Sequence, residues 1–184
     1  MEAFLSYSSA DKKLAERLRK ELTKDGLSVW RDESIAPDEK WQRRVEKAIH
    51  SSDSILVLVG NRVDEPQQFT WRVALEAVWK DPSKRLVPIL LRGAELPAFV
   101  RSGTSGKVRA VQIENSRNVR NVAQAVLDLL NGRTSQGTEA VRIREFQRTD
   151  DRRREALSAM AEYVSKFREL QGNDDGGRRT PADL

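Results

Sequence analysis

The stretch Ala3-Phe4-Leu5-Ser6-Tyr7-Ser8-Ser9-Ala10-Asp11-Lys12 decides the fold. An apolar-leaning run gives way to small hydroxyl residues and an acid, and a helical period starts at once. Leu14, Leu18 and Leu22, with Ala15 beside them, recur at the 3.6-residue repeat of an amphipathic helix. A strand that feeds a helix through a short polar turn is the building unit of an open α/β sheet. In such sheets ligands sit where strands end and helices begin, because backbone N–H groups and hydroxyls converge there.

Reading outward, the first helix runs from Asp11 to Asp25 and is stopped by Gly26, a usual residue just past a helix end. Leu27 to Trp30 is a short strand, and Arg31 to Lys40 an acid-bearing loop that holds Pro37. A second helix covers Trp41 to His50, with Trp41, Val45, Ala48 and Ile49 on one face. Ser54-Ile55-Leu56-Val57-Leu58-Val59-Gly60 is a nearly unbroken branched apolar run, as expected of a central parallel strand covered on both faces. A third helix starts at Pro66 or Gln67, a favourable place for proline, and ends before Pro82. Its Trp71 and Trp79 read as core residues.

Leu86 to Leu91 is another buried strand, and Pro88, which cannot donate a ladder bond, places it at or near a sheet edge. Val108 to Ile113 is the fifth strand, and a last core helix spans Arg117 to Leu130 before Asn131-Gly132. Strand and helix thus alternate five times, which predicts a doubly wound, five-stranded parallel sheet with helices on both faces. That domain occupies residues 1–132. Residues 133–138 read as a linker. Residues 139–171 read as a charged amphipathic helix, with Leu157, Met160, Val164 and Phe167 at a/d spacing. Such a helix either lies back on the domain or serves self-association or a partner protein. Residues 172–184, rich in Gly, Asp and Arg, read as a disordered tail.

Composition narrows the chemistry. The chain has 184 residues, 38% hydrophobic and 33% charged, enough for a packed core under a strongly polar surface. It has no cysteine and a single histidine, His50, which excludes disulfides, thiolate chemistry and His- or Cys-built metal sites. No segment reaches the ~20 apolar residues of a membrane helix, and no secretory leader precedes the first strand, so a cytoplasmic protein without membrane attachment is expected. The formal charge of +5 invites a nucleic-acid reading. The cations are interleaved with acids, however, as in Glu39-Lys40-Trp41-Gln42-Arg43-Arg44-Val45-Glu46-Lys47, a pattern of solvated helix faces that points away from nucleic acid.

Four segments in this order resemble the bacterial kind of TIR (Toll/interleukin-1 receptor) domain. Phe4-Leu5-Ser6-Tyr7-Ser8-Ser9-Ala10-Asp11 is similar to the family's first strand and turn. Val29-Trp30-Arg31-Asp32, with Ile35, Pro37 and Trp41, resembles its second strand and the long loop after it. Ser52 to Val59 and Leu86 to Leu90 resemble the third and fourth strands. The resemblance implies a flavodoxin-like fold and one of two kinds of function. One is an NAD glycohydrolase of prokaryotic immunity, which releases nicotinamide with linear or cyclic ADP-ribose and is activated when TIR domains self-assemble. The other is a non-catalytic scaffold or adaptor that binds a partner TIR domain or a nucleotide. NAD is then substrate or ligand, and neither a resident cofactor nor a metal is implied.

In the enzymes of the family a glutamate on the third helix faces the nicotinamide ribose, where a carboxylate stabilises an oxocarbenium-like centre. The resemblance places an acid directly before Trp71, and here that position is Thr70. An alternative register gives the role to Glu76. The two positions, six residues apart, point about 240° away from each other on a helix, so they cannot line one cleft. Thr70 in the catalytic place implies weakened or absent hydrolysis, since a threonine offers no charge at neutral pH. Phe4, Ser6, Tyr7, Ser8, Asp11, Trp30, Arg31 and Asp32 are the candidate nucleotide contacts, with Asn61 and Arg62 as weaker ones. For Ser9 or Asp11 the competing role is capping of the first helix. For Trp30, Arg31 and Asp32 it is a buried ring and a surface ion pair. His50 reads as a favourable charge at a helix end.

Overall fold

A computed structural model describes residues 1–31, 39–61, 65–97, 99–100, 108–114, 118–133 and 141–146. Six strands form one sheet: β1 (Glu2–Ser6), β2 (Ser28–Arg31), β3 (Ser54–Val59), β4 (Arg85–Leu90), β5 (Val108–Ile113) and β6 (Val141–Phe146). Their order is β2-β1-β3-β4-β5-β6. The first five are parallel, and β6 runs antiparallel to β5. Among the described residues, four long helices cover the sheet: α1 (Lys12–Lys24), α2 (Glu39–Ser51), α3 (Glu65–Lys80) and α4 (Val119–Leu130).

Side-chain alternation divides the core into two layers. Ala3 and Leu5 of β1 and Leu56 and Leu58 of β3 join Ala15, Leu18 and Leu22 of α1 and Val122, Val126 and Leu130 of α4. Phe4 and Ile55, Val57 and Val59 join Trp41, Val45 and Ile49 of α2 and Phe69, Trp71 and Leu75 of α3. Every side chain of β3 is buried, as the unbroken apolar run requires of a strand covered on both faces. Gly26, at φ +87°, ends α1: its N–H donates to the Thr23 carbonyl while the Leu27 N–H reaches the Leu22 carbonyl, a Schellman closure. At the end of α2, Lys84 Nζ donates to the His50 and Ser52 carbonyls at 2.8 and 2.6 Å.

Three expectations need correction. β4 is interior rather than an edge strand, with Pro88 in register with Val57. Alternate residues of a strand donate to opposite neighbours, so a proline removes one ladder bond at most. The pairing with β5 is carried by Ile89 and Leu90, beyond it. Trp79 is 40% exposed while Trp71 is fully buried. Trp79 falls in the last turn of α3, where the helix runs past the core. The segment Val141–Phe146, expected to open a charged helix, is instead a sixth strand. Its Val-Arg-Ile-Arg alternation matches a period of two. Val141 is buried and Ile143 half-buried against the layer that holds α4. On the other face the Arg144 guanidinium lies over the Phe146 ring at 4.8 Å and donates to Gln112 Oε1 at 3.1 Å. The rest of the expected helix and the tail lie outside the described residues.

Candidate functional site

The chain leaves β1 toward β2 on one side and reaches β3 on the other. At such a switch point the connections diverge and a crevice opens beyond the carboxyl ends of the two strands. Ser6, which ends β1, is 7% exposed, and Ser8 is 2% exposed. Tyr7 between them is half-buried against the layer of α1 and α4. Gly60 and Asn61 follow β3. Beyond β4, Gly93 turns at φ +77° with Asn61 Oδ1 nearby.

Asp11 stands at the N-cap position of α1, yet its side chain makes no bond to the helix N–H groups. Its Oδ2 accepts instead from Ser8 Oγ at 2.6 Å. The same carboxylate lies against the end of β3, so that a β-carbon at Gly60 would overlap Oδ2. Capping therefore explains the position of Asp11 but not the aim of its side chain. Gly60 was missed as a site residue. The signal was present in sequence, as a glycine closing a branched apolar strand, where a close approach of another group is a common reason.

Phe4 is 1% exposed and stacks under Trp30, with ring centroids 5.2 Å apart and planes 20° apart. The two residues are in register across β1 and β2. Phe4 is thus a core support, whereas Trp30, 38% exposed, presents part of its indole at the sheet's β2 edge. Arg31 ends β2; Asp32 and Arg62 lie outside the described residues.

Helix α3 begins beyond the carboxyl end of β3 and runs back toward the strand beginnings. Gln67 ties its first turn to the sheet, donating from Nε2 to the Leu58 carbonyl at 2.5 Å. Thr70 is 2% exposed and donates its hydroxyl to the Pro66 carbonyl at 2.9 Å, a bond within its own helix. Glu76 lies about 9 Å further along the helix axis, toward the amino ends of the strands. Its carboxylate is bonded to Lys80 Nζ at 2.6 Å. That bond holds the Glu76 carboxyl below the usual carboxylate range, with Arg72 and His50 adding to the effect. Arg72 sits over the Phe69 ring at 5.0 Å and faces Glu46 of α2 at 3.9 Å. The structure therefore gathers Ser6, Ser8, Asp11, Gly60 and Asn61 at one end of the sheet and places Glu76 on the flank that α3 shares with α2. Among the described residues no helix is long and apolar enough to cross a membrane.

Comparison with solved structures finds the CMP N-glycosidase BcmB of Clostridium botulinum, at TM-score 0.51 and 16% identity, over 68% of this chain and 98% of that one. At that identity the likeness is one of fold. The first ketoreductase of the tylosin PKS matches at TM-score 0.46 and 17% identity, over 78% of this chain and 38% of that chain. No curated protein matches the chain. The profile of the TIR domain family matches residues 3–130, the whole span from the first residues of β1 to the end of α4. With the parallel sheet in the order β2-β1-β3-β4-β5 beneath that match, the chain belongs to the TIR domain family.

Proposed function

We propose that this chain is a non-hydrolysing TIR module, which binds a nucleotide such as NAD in the crevice between β1 and β3 and acts by assembling with other TIR domains. The observation that carries this reading is Thr70. It stands where the family resemblance calls for a glutamate, and its hydroxyl is engaged with the Pro66 carbonyl of its own helix. Cleavage of an N-glycosidic bond needs a carboxylate beside the sugar carbon that becomes cationic. Glu76, the alternative, is ion-paired with Lys80 and lies on the α2 flank, far along α3 from the strand ends.

The hydrolytic reading, an NAD glycohydrolase of prokaryotic immunity in the cytoplasm, draws support from the family and from a neighbour whose name is that of an N-glycosidase. It requires Glu76 to leave Lys80 and reach the ligand. Binding and assembly are tested together by titrating the purified chain with NAD in a calorimeter while light scattering follows its mass. A saturable heat at the β1/β3 crevice, lost in Ser8→Ala with Asp11→Ala, and a mass that grows with concentration support the module. A monomer that binds no nucleotide at any concentration overturns it.

A further inference from the structure

We infer that the outer row of α1 is a docking surface for the phosphate backbone of a nucleic-acid duplex. Along the chain the cations of this helix alternate with acids; on the folded helix the two separate. Lys12, Lys13, Arg17, Lys20 and Lys24 are exposed, while the acids of α1, Glu16 and Glu21, are half-buried. At 3.6 residues per turn Lys13, Arg17, Lys20 and Lys24 fall within an arc of about 60°, on the side away from buried Ala15, Leu18 and Leu22. They form a line about 16 Å long, with successive cations about 5–6 Å apart. Glu16 and Glu21 flank the line, one on each side. Lys24 Nζ bonds Glu21 at 2.6 Å and holds that carboxyl below its usual range. Arg120, exposed on the adjacent α4, adds to the effect, so the cationic face continues across the two helices.

The make-up of the row selects the partner. Interfaces with proteins are anchored by aromatic and aliphatic side chains and are poor in charge at their centre. A helix lying in a membrane surface needs an apolar face to bury there. Single strands are held by bases stacked on exposed rings. The exposed positions of α1 offer only cations and Thr23, and its apolar side is taken up by the core. Long cationic side chains in a line, without an anchor, suit contacts that neutralise phosphates and release their counterions without reading bases. A second copy meeting this face with its own would bring like charges together. α2 supplies the comparison within the same chain. Its Lys40, Arg43, Arg44 and Lys47 are exposed too, but they spread over about 100° of arc and lie on the other layer of the sheet.

The test is the fluorescence anisotropy of a labelled DNA duplex of about 20 base pairs, titrated with the full chain between about 50 and 200 mM salt. Affinity is expected to fall roughly 40- to 150-fold across that range, the slope of about three to four phosphate contacts. Two unrelated sequences are expected to bind within about two-fold of each other. Lys13→Gln with Lys20→Gln is expected to weaken binding at least about ten-fold at the low-salt end and to flatten the slope by about 2. Lys13→Arg with Lys20→Arg is expected to keep both affinity and slope. Arg43→Gln with Lys47→Gln, the same loss of charge on the other layer, is expected to stay within about three-fold. All four positions are exposed, so unfolding is expected to be unchanged in each variant. No binding of the duplex at the low-salt end overturns the inference. Equal losses from the α1 and α2 pairs overturn it too, since net charge alone then carries the binding. A single strand of the same length bound more tightly than the duplex overturns the choice of partner. So do vesicles rich in phosphatidylserine that capture the chain in preference to the duplex.

Discussion

Truncating Val141 to alanine tests the sixth strand, the part of the fold that departs most from the sequence reading. Val141 is 2% exposed, opposite Ile113 at the start of β6. The change removes two carbons, worth about 0.8 kcal/mol each in transfer, and leaves a small void. A loss of about 2 kcal/mol follows, or roughly 4–8 °C in Tm for a chain of this size. Arg142→Ala, next in the strand and exposed, is expected to stay within about 0.5 kcal/mol. Ile143→Ala is expected to fall nearer to Val141 than to Arg142. The assay is urea unfolding followed by fluorescence, with the slope checked for constancy across variants. A strand makes Val141 and Ile143 behave alike, whereas a helix pairs Val141 with Arg144 and Glu145. Losses that track the helical spacing, or equal losses at 141 and 142, refute the pairing of β6 with β5.

Other outcomes follow from single contacts. Lys84→Met removes the ammonium that holds the His50 and Ser52 carbonyls at the end of α2, and is expected to cost about 1–2 kcal/mol by thermal unfolding. Gly26→Ala meets open space but forces a β-carbon into φ +87°, so a loss of about 1 kcal/mol is expected from strain alone. Glu76→Gln breaks a solvent-screened pair whose acid is 41% exposed, so less than about 0.5 kcal/mol is expected at neutral pH. Because the Glu76 carboxyl is held below its usual range, that contribution is present above the ordinary value near pH ~4.3. It fades as pH falls through the lower folded value. Unfolding of the pair of proteins at neutral and acid pH reads it directly.

The parallel core was legible because each of its elements carries its own period. The β3 run has no polar interruption, and the Leu14-Leu18-Leu22 row starts one turn after β1. Pro88 misled because the general rule for proline concerns a lost donor, while the two neighbours of β4 share its pairing unequally. Val141 to Phe146 misled because charge density was read before alternation. Two arginines of this strand look like a solvated helix until Arg144 is seen folded over Phe146 toward Gln112. At the site, Ser8 and Asp11 were legible from the turn that joins β1 to α1. The nearness of Gly60 to Asp11 was not, since it spans 49 residues and exists only once β1 and β3 are side by side. The surroundings of Thr70 and Glu76 likewise needed the helix in place. Only then is the Glu76 carboxylate seen engaged with Lys80 and the Thr70 hydroxyl with Pro66.

The most direct measurement is the release of free nicotinamide from NAD, followed under crowded, concentrated conditions for the wild type, Thr70→Glu and Glu76→Gln side by side. A non-hydrolysing module predicts no release by the wild type or by Glu76→Gln, and release gained in Thr70→Glu, where a carboxylate is restored beside the sugar. Turnover by the wild type that disappears in Glu76→Gln contradicts it and makes Glu76 the catalytic acid.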